Sequence, residues 1–247
     1  MADRSKLMWS TLYWLCLVGC TKLSKGCSNC WALHEAQKRA KAGGKDYQGL
    51  VIPSSVGPQW SGEVRLLEHR LHDPLKWKTP QVAWLTSMSD LFHEKLSTDN
   101  IARIFGVMVQ APQHIYQVLT KRIERANELL SSREFKELVE HHAGMRTPWP
   151  LDNCWIGTSV EDQKTCNSRL PALADTNANS KFISFQPLLE EVSPGRMVKK
   201  VDPVWAIIGG EAGLRCRTYK MDWGLKLHNQ LLSEGVKSHV VCYPYGI

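Results

Sequence analysis

From residue 82 onward, short apolar runs alternate with longer amphipathic segments. Runs of four or five residues rich in Val, Ile and aromatic side chains predict strands at 82–86, 115–119, 154–158, 181–184, 204–208 and 238–242. Apolar positions three and four residues apart predict helices at 97–111, 123–130, 133–141, 161–173 and near 223–232.

This alternation predicts right-handed βαβ units around a mainly parallel sheet. The fold class we expect is α/β, a partial or small (βα) barrel formed by residues 1–247 as a single domain, with a doubly wound open sheet as the alternative. Pro- and Gly-rich stretches predict loop insertions near 43–75 and 142–152. In both folds the functional site lies at the carboxyl ends of the strands.

Composition adds a basic balance to this picture. The net charge is +7 and the pI about 9.0, which makes a nucleic acid or another polyanion a plausible partner. Ten tryptophans could stack on bases, but we expect most of them to belong to the core. The apolar fraction of 43% is enough for a sizeable core without help from a cofactor.

The eight cysteines are spaced unevenly. Cys20, Cys27 and Cys30 form a C-x6-C-x2-C run in a segment, 16–32, that we call the Cys loop. Three thiolates can hold a 4Fe-4S cluster and leave one iron open for a ligand. With Cys16 the set becomes four, which suits a closed zinc site, and spacing alone leaves both metals open.

The remaining cysteines are Cys154, Cys166, Cys216 and Cys242, and their scatter indicates unpaired thiols in a reducing compartment. Near the N-terminus, the apolar run 12–20 is short and rich in Trp and Tyr, so we do not expect a secreted lipoprotein. We expect a cytoplasmic protein, with an organellar matrix as the alternative, and no association with a membrane.

Polar residues follow each of the first five predicted strands, which indicates a functional rim. We expect cofactor contacts from the hydroxyl, Gly and acidic residues among them, namely Ser87, Ser89, Thr158, Ser159, Gly209, Gly210 and Glu211. The candidate catalytic residues are Asp90, His93, Lys121 and Glu161. Asp90 and His93 could form an acid/base pair on one helix face, and Lys121 with Arg122 could hold a phosphate or nucleic acid.

The segments around these residues resemble a known family. Thr21-Lys22 and Gly26-Cys-Ser-Asn-Cys-Trp-Ala32 are similar to the signature of a phage-associated three-Cys-motif family of radical S-adenosylmethionine (SAM)-like proteins of uncharacterised function. The resemblance continues through segments 87–94, 117–122, 155–162 and 208–211 and covers nearly the whole chain. Members are often encoded beside a partner protein.

This resemblance implies a barrel of the radical SAM type. It also implies that Cys20, Cys27 and Cys30 hold a 4Fe-4S cluster, and that SAM binds the open iron. The expected function is therefore a radical SAM-like iron-sulfur enzyme acting on nucleic acid or nucleotide.

The chain departs from the family pattern at Gln186-Pro187, where a Glu-Pro pair is expected, and at its C-terminus, which lacks a Lys-Gln-Trp-Gly ending. These departures motivate one alternative, a non-catalytic RNA-binding or assembly factor in a larger complex. A second alternative is a zinc-stabilised binding protein that uses Cys16.

Overall fold

A computed structural model describes residues 3–5, 7–55, 57–85, 87–213 and 215–241. Its main sheet has eight strands, β1 Asp3–Arg4, β2 Leu12–Trp14, β7 Val82–Leu85, β8 Ile115–Thr120, β9 Cys154–Ser159, β10 Ser180–Phe185, β11 Trp205–Gly209 and β12 Ser238–Val241. Two short antiparallel ladders pair β3 Leu17–Val18 with β6 Arg65–Leu66 and β4 Val51–Ile52 with β5 Gln59–Trp60.

The strands of the main sheet lie side by side in chain order, from β1 and β2 through β7 to β12. All neighbours are parallel except β1 and β2. A doubly wound sheet reverses its strand order at a switch point, and this sheet does not. In the described ranges β1 and β12 remain as its two edges, so the fold is a curled parallel half-barrel.

Helices cover the outer face of the half-barrel. They are α2 Glu68–Leu71, α3 Thr98–Gln110, α4 Ile123–Ser131, α5 Arg133–Ala143, α6 Gln163–Asp175, α7 Met197–Val201 and α8 Met221–Ser233. The remaining helix, α1 Trp31–Lys41, packs in a second hydrophobic cluster with Val18 and Leu50. Alternate strand residues such as Ile156, Ile183 and Ile208 point to the outer face and join the largest hydrophobic cluster. No helix among the described residues is long and apolar enough to cross a membrane.

Aromatic side chains fill part of the concave face. Trp84, Phe182 and Trp205 pack together there, and Trp9 lies against both tryptophans with ring centroids 6.0 and 5.7 Å apart. Phe182 stacks on Trp205 at 5.3 Å. These tryptophans are core residues, as expected from the sequence.

The strands and helices predicted from residue 82 onward are confirmed, with small shifts of their ends. Two predicted strand residues, Thr86 and Cys242, lie outside the described residues. The structure adds β1, β2, α1 and α7, which sequence patterning missed. It places the two short ladders and α2 largely within the segment 43–75 predicted as a loop insertion.

The packing of the concave aromatic cluster requires a glycine at position 157. A Cβ at Gly157 would lie 2.5 Å from ring atoms of Phe182. We expect Gly157→Ala to lower the free energy of unfolding by about 1–3 kcal/mol, because the stacked ring has little room to move. Urea denaturation measures this change.

A double-mutant cycle with Phe182→Leu provides the control. In the Phe182→Leu background the same alanine should cost less, because the smaller side chain can shift away. An alanine at Gly157 that leaves stability unchanged in the wild-type background would contradict the prediction.

Candidate functional site at the carboxyl edge

The irregular part of the Cys loop, residues 19–30, lies across the carboxyl edge of the half-barrel. Cys20, Cys27 and Cys30 are half-buried there, and their thiols interact electrostatically with one another. The loop contacts residues that follow β7, β8, β9 and β11. The structure therefore brings the three thiols to the edge where the sequence predicts a site.

Glu161, two residues after β9, is the central anchor of this loop. Its side chain is 0% exposed. The carboxylate accepts hydrogen bonds from Ser24 Oγ at 2.7 Å and from the Gly26 N–H at 3.0 Å. It also forms ion pairs with Lys121 and, at 3.5 Å, with Arg169 Nη1 on α6. Two cations and two loop donors thus share one buried carboxylate.

Lys121 connects this anchor to a thiol. Its Nζ lies 3.6 Å from Cys27 Sγ and also contacts Glu161. Burial of the Cys27 thiol raises its pKa, but the Lys121 ammonium and hydrogen bonds from the backbone and Ser24 hold that pKa below its usual value. Burial lowers the pKa of Lys121, but Cys27 and Glu161 raise it above its ordinary value, so the ammonium stays charged.

Arg122 forms a second anchor. Its guanidinium lies 3.1 Å from Asp90 Oδ2 and 2.6 Å from Glu94 Oε2, and it donates to Thr21 Oγ1 at 2.8 Å. Asp90 also accepts from Thr120 Oγ1 at 2.6 Å. Burial raises the pKa of Glu94, but the hydrogen bond from Arg122 holds it at about 2. In this structure Arg122 fixes the loop beside Cys20, and phosphate binding by it stays a prediction.

The expected helical pairing of Asp90 and His93 is wrong, because the segment between β7 and α3 forms turns instead of a helix. Asp90 Oδ1 accepts from the Phe92 N–H at 3.0 Å, an Asx-type contact that favours a turn. His93 is fully buried, with Nε2 2.8 Å from Thr21 Oγ1 and Nδ1 accepting from the Lys95 N–H at 3.1 Å. Their catalytic roles stay predictions.

A third anchor follows β11. Glu211 accepts from Asn29 Nδ2 at 3.2 Å and from Arg217 Nε at 2.9 Å. Arg217 Nη2 in turn donates to the Lys25 carbonyl at 2.8 Å. Burial raises the pKa of Glu211, but hydrogen bonds from Arg217 hold it below its usual value. The second half of the Cys loop is therefore fixed to a late strand.

Some of the predicted cofactor residues lie at the carboxyl edge, and others lie within the strands. Ser89 Oγ donates to the Gly19 carbonyl at 2.6 Å and so supports the start of the irregular stretch, and Ser87 is half-buried beside it. Thr158 is fully buried, and its hydroxyl donates to the Thr120 carbonyl at 2.8 Å.

Main-chain contacts fix the others. Ser159 is buried, and its carbonyl accepts from Arg169. Gly209 accepts from the Leu188 N–H at 2.8 Å, and the Gly210 carbonyl lies 3.4 Å from the Gln186 amide. Contacts of these seven residues with a cofactor stay predictions.

The three thiols of the Cys loop are donors that suit a 4Fe-4S cluster. Cys16 is fully buried in the main hydrophobic core, with Arg70 and Asp73 as its charged neighbours. Within the described ranges, no three His, Cys, Asp or Glu side chains converge on an ion-sized point. A 4Fe-4S cluster takes one thiolate at each of three irons, so the three Cys side chains are enough to hold it. The zinc alternative stays a prediction.

Sequence reasoning missed several residues of the site, namely Thr21, Ser24, Asn29, Glu94, Arg169 and Arg217. Thr21, Ser24 and Asn29 lie within the Cys loop, so their position among the cysteines was an available signal. Arg169 is identified by its contacts with Glu161 and Ser159, and Arg217 by its contact with the Lys25 carbonyl, which is distant in sequence.

Fold and site together define a mixed α/β half-barrel protein with a three-cysteine loop at its carboxyl edge. The chain belongs to the family DUF5131, described as a protein of unknown function, whose family model matches residues 4–241. No curated protein and no solved structure matches it. The family description names no activity, so the radical SAM resemblance stays a prediction.

The contact between the Cys loop and Glu161 requires a glycine. A Cβ at Gly26 would lie 2.4 Å from Glu161 Cδ. We expect Gly26→Ala to displace the loop and to lower the free energy of unfolding by about 1–3 kcal/mol. Limited trypsin digestion, followed by mass spectrometry, should show faster cleavage after Lys22 and Lys25.

Ser28→Ala is the matched control, since Ser28 is an exposed residue of the same loop. It should leave both stability and the cleavage rate near the wild-type values. Equal cleavage rates for Gly26→Ala and Ser28→Ala would mean that the contact does not hold the loop.

Proposed function

We propose that this protein is a radical SAM-like iron-sulfur enzyme that acts on nucleic acid or nucleotide. In this proposal Cys20, Cys27 and Cys30 are the ligands of a 4Fe-4S cluster. The observation that carries it is the fixing of a three-thiol loop over the carboxyl edge by three separate anchors. The carboxyl edge of a (βα) barrel is where catalytic residues gather.

A bound cluster would supply an open iron for the amino and carboxylate groups of SAM and an electron for cleavage of its sulfonium. The chain itself provides the surroundings. Lys121 and Ser24 approach Cys27 Sγ at 3.6 and 3.7 Å, and Glu161 holds Lys121 in place. Hydrogen bonds to thiolate ligands stabilise negative charge on sulfur.

The metal content tests this function. Protein purified without oxygen should contain iron and sulfide in near-equal amounts, and after reduction its electron paramagnetic resonance signal should change when SAM is added. Alanine at Cys20, Cys27 or Cys30 should abolish that iron, because each removes one of three ligands.

Cys216→Ala is the control, since Cys216 is an exposed thiol outside the Cys loop. It should retain iron. A cluster whose signal is unaffected by SAM would favour the non-catalytic binding factor. Zinc in place of iron would overturn the radical SAM proposal and favour the zinc-stabilised binding protein.

The proposed polyanionic substrate is supported by exposed cations around the Cys loop. Lys22 is exposed, and the Lys25 side chain is 73% exposed. Arg215 and Lys220 are exposed on the segment that Arg217 ties to the Lys25 carbonyl. Trp31 exposes 37% of its surface next to this segment, and an exposed aromatic ring can stack on a base.

A triple variant tests this surface. Lys22→Ala, Arg215→Ala and Lys220→Ala together should weaken binding of single-stranded RNA or DNA. The plot of log affinity against log salt should also flatten by about 0.7 for each lost phosphate contact. Fluorescence anisotropy at several salt concentrations measures both effects.

The matched control replaces three exposed lysines near the amino ends of the strands, away from the Cys loop. They are Lys199, Lys200 and Lys237. These residues precede β11 and β12, and their replacement changes the net charge equally. Equal losses in both triple variants would contradict a binding surface at the Cys loop.

A further inference from the structure

The charges around the thiols are unevenly distributed. Next to Cys27, the Lys121 ammonium and the Arg169 guanidinium face a single carboxylate, that of Glu161. Their side chains are 20%, 6% and 0% exposed, so water screens this group weakly. The group carries one net positive charge, and Lys121 directs it at Cys27 Sγ.

The surroundings of Cys20 carry no such excess of positive charge. The Arg122 guanidinium, which donates to Thr21 next to Cys20, is paired with both Asp90 and Glu94. The Arg125 guanidinium interacts electrostatically with the same two carboxylates, so two cations and two anions balance there. A group bound across the Cys loop would meet a net positive charge at Cys27 and balanced charges beside Cys20.

We propose that Lys121 is a positioning residue that raises the reduction potential of a cluster held through Cys27. This inference rests on the proposed function. Reduction adds one electron, supplied by an external low-potential donor such as dithionite, and breaks no bond. A fixed cation with an N–H group 3.6 Å from a ligand sulfur stabilises the more negative, reduced form.

The ion pair with Glu161 explains how the ammonium can be held in this place. A lysine side chain is flexible, and ordering it costs entropy. Glu161 limits that freedom, and its own position is fixed by Ser24 and the Gly26 N–H. Lys121 is therefore oriented towards Cys27 before any cluster binds.

The test is a redox titration followed by electron paramagnetic resonance, with iron content measured first. Lys121→Met and Lys121→Gln should both shift the midpoint potential to more negative values at unchanged iron content. Lys121→Arg keeps the charge and should stay closer to the wild-type potential. Lys164→Met, an exposed lysine on α6, removes the same charge in solvent and should leave the potential unchanged.

The outcomes separate this inference from the proposed function. Wild-type protein without iron overturns both. Full iron content with an unchanged potential in the Met and Gln variants overturns only the role of Lys121. If both variants fold, as judged by circular dichroism, but lose their iron, Lys121 serves cluster loading instead of tuning, which also overturns the inference.

Discussion

The arrangement of the carboxyl edge depends on one buried carboxylate. Glu161 is removed from water, and such a group is stable in its charged form only when ion pairs and hydrogen bonds replace its hydration. Lys121, Arg169, Ser24 and the Gly26 N–H supply them. Two of these partners belong to the Cys loop, so the contacts that stabilise the buried carboxylate also fix the position of the loop.

Polar contacts instead of a hydrophobic core hold the irregular part of the loop. Each of its three anchors joins the loop to a different strand end, and each gives the nearby thiol different surroundings. The pKa values of the thiols differ as a result. The pKa of Cys27 lies below its usual value beside Lys121, whereas burial and the Asp90 carboxylate raise that of Cys20 to about 12. Cys27 therefore differs from Cys20 and Cys30, whose pKa values burial raises.

Local sequence patterns predicted much of the fold. The strands from β7 onward were predictable because each lies beside its neighbour in the chain, and the longer helices between them because each shows its own periodicity. The five-residue helix α7 is too short to show that periodicity. β2 was missed because its partner β7 lies about 70 residues away and its aromatic run looked merely apolar. The rim was predictable from the strand ends, but the roles of its residues were not. The sequence did not show that Arg122 is paired with Asp90 and Glu94, and phosphate binding by Arg122 stays a prediction.

The concave face and the carboxyl edge of the half-barrel differ in what they can offer a ligand. The aromatic cluster of Trp84, Phe182 and Trp205 occupies part of the concave face, and apolar side chains there provide packing but few directed contacts. The carboxyl edge combines half-buried thiols, fixed charges and exposed cations. Because a reacting site needs groups that are both oriented and accessible, the proposed chemistry at the Cys loop would require no rearrangement of the core.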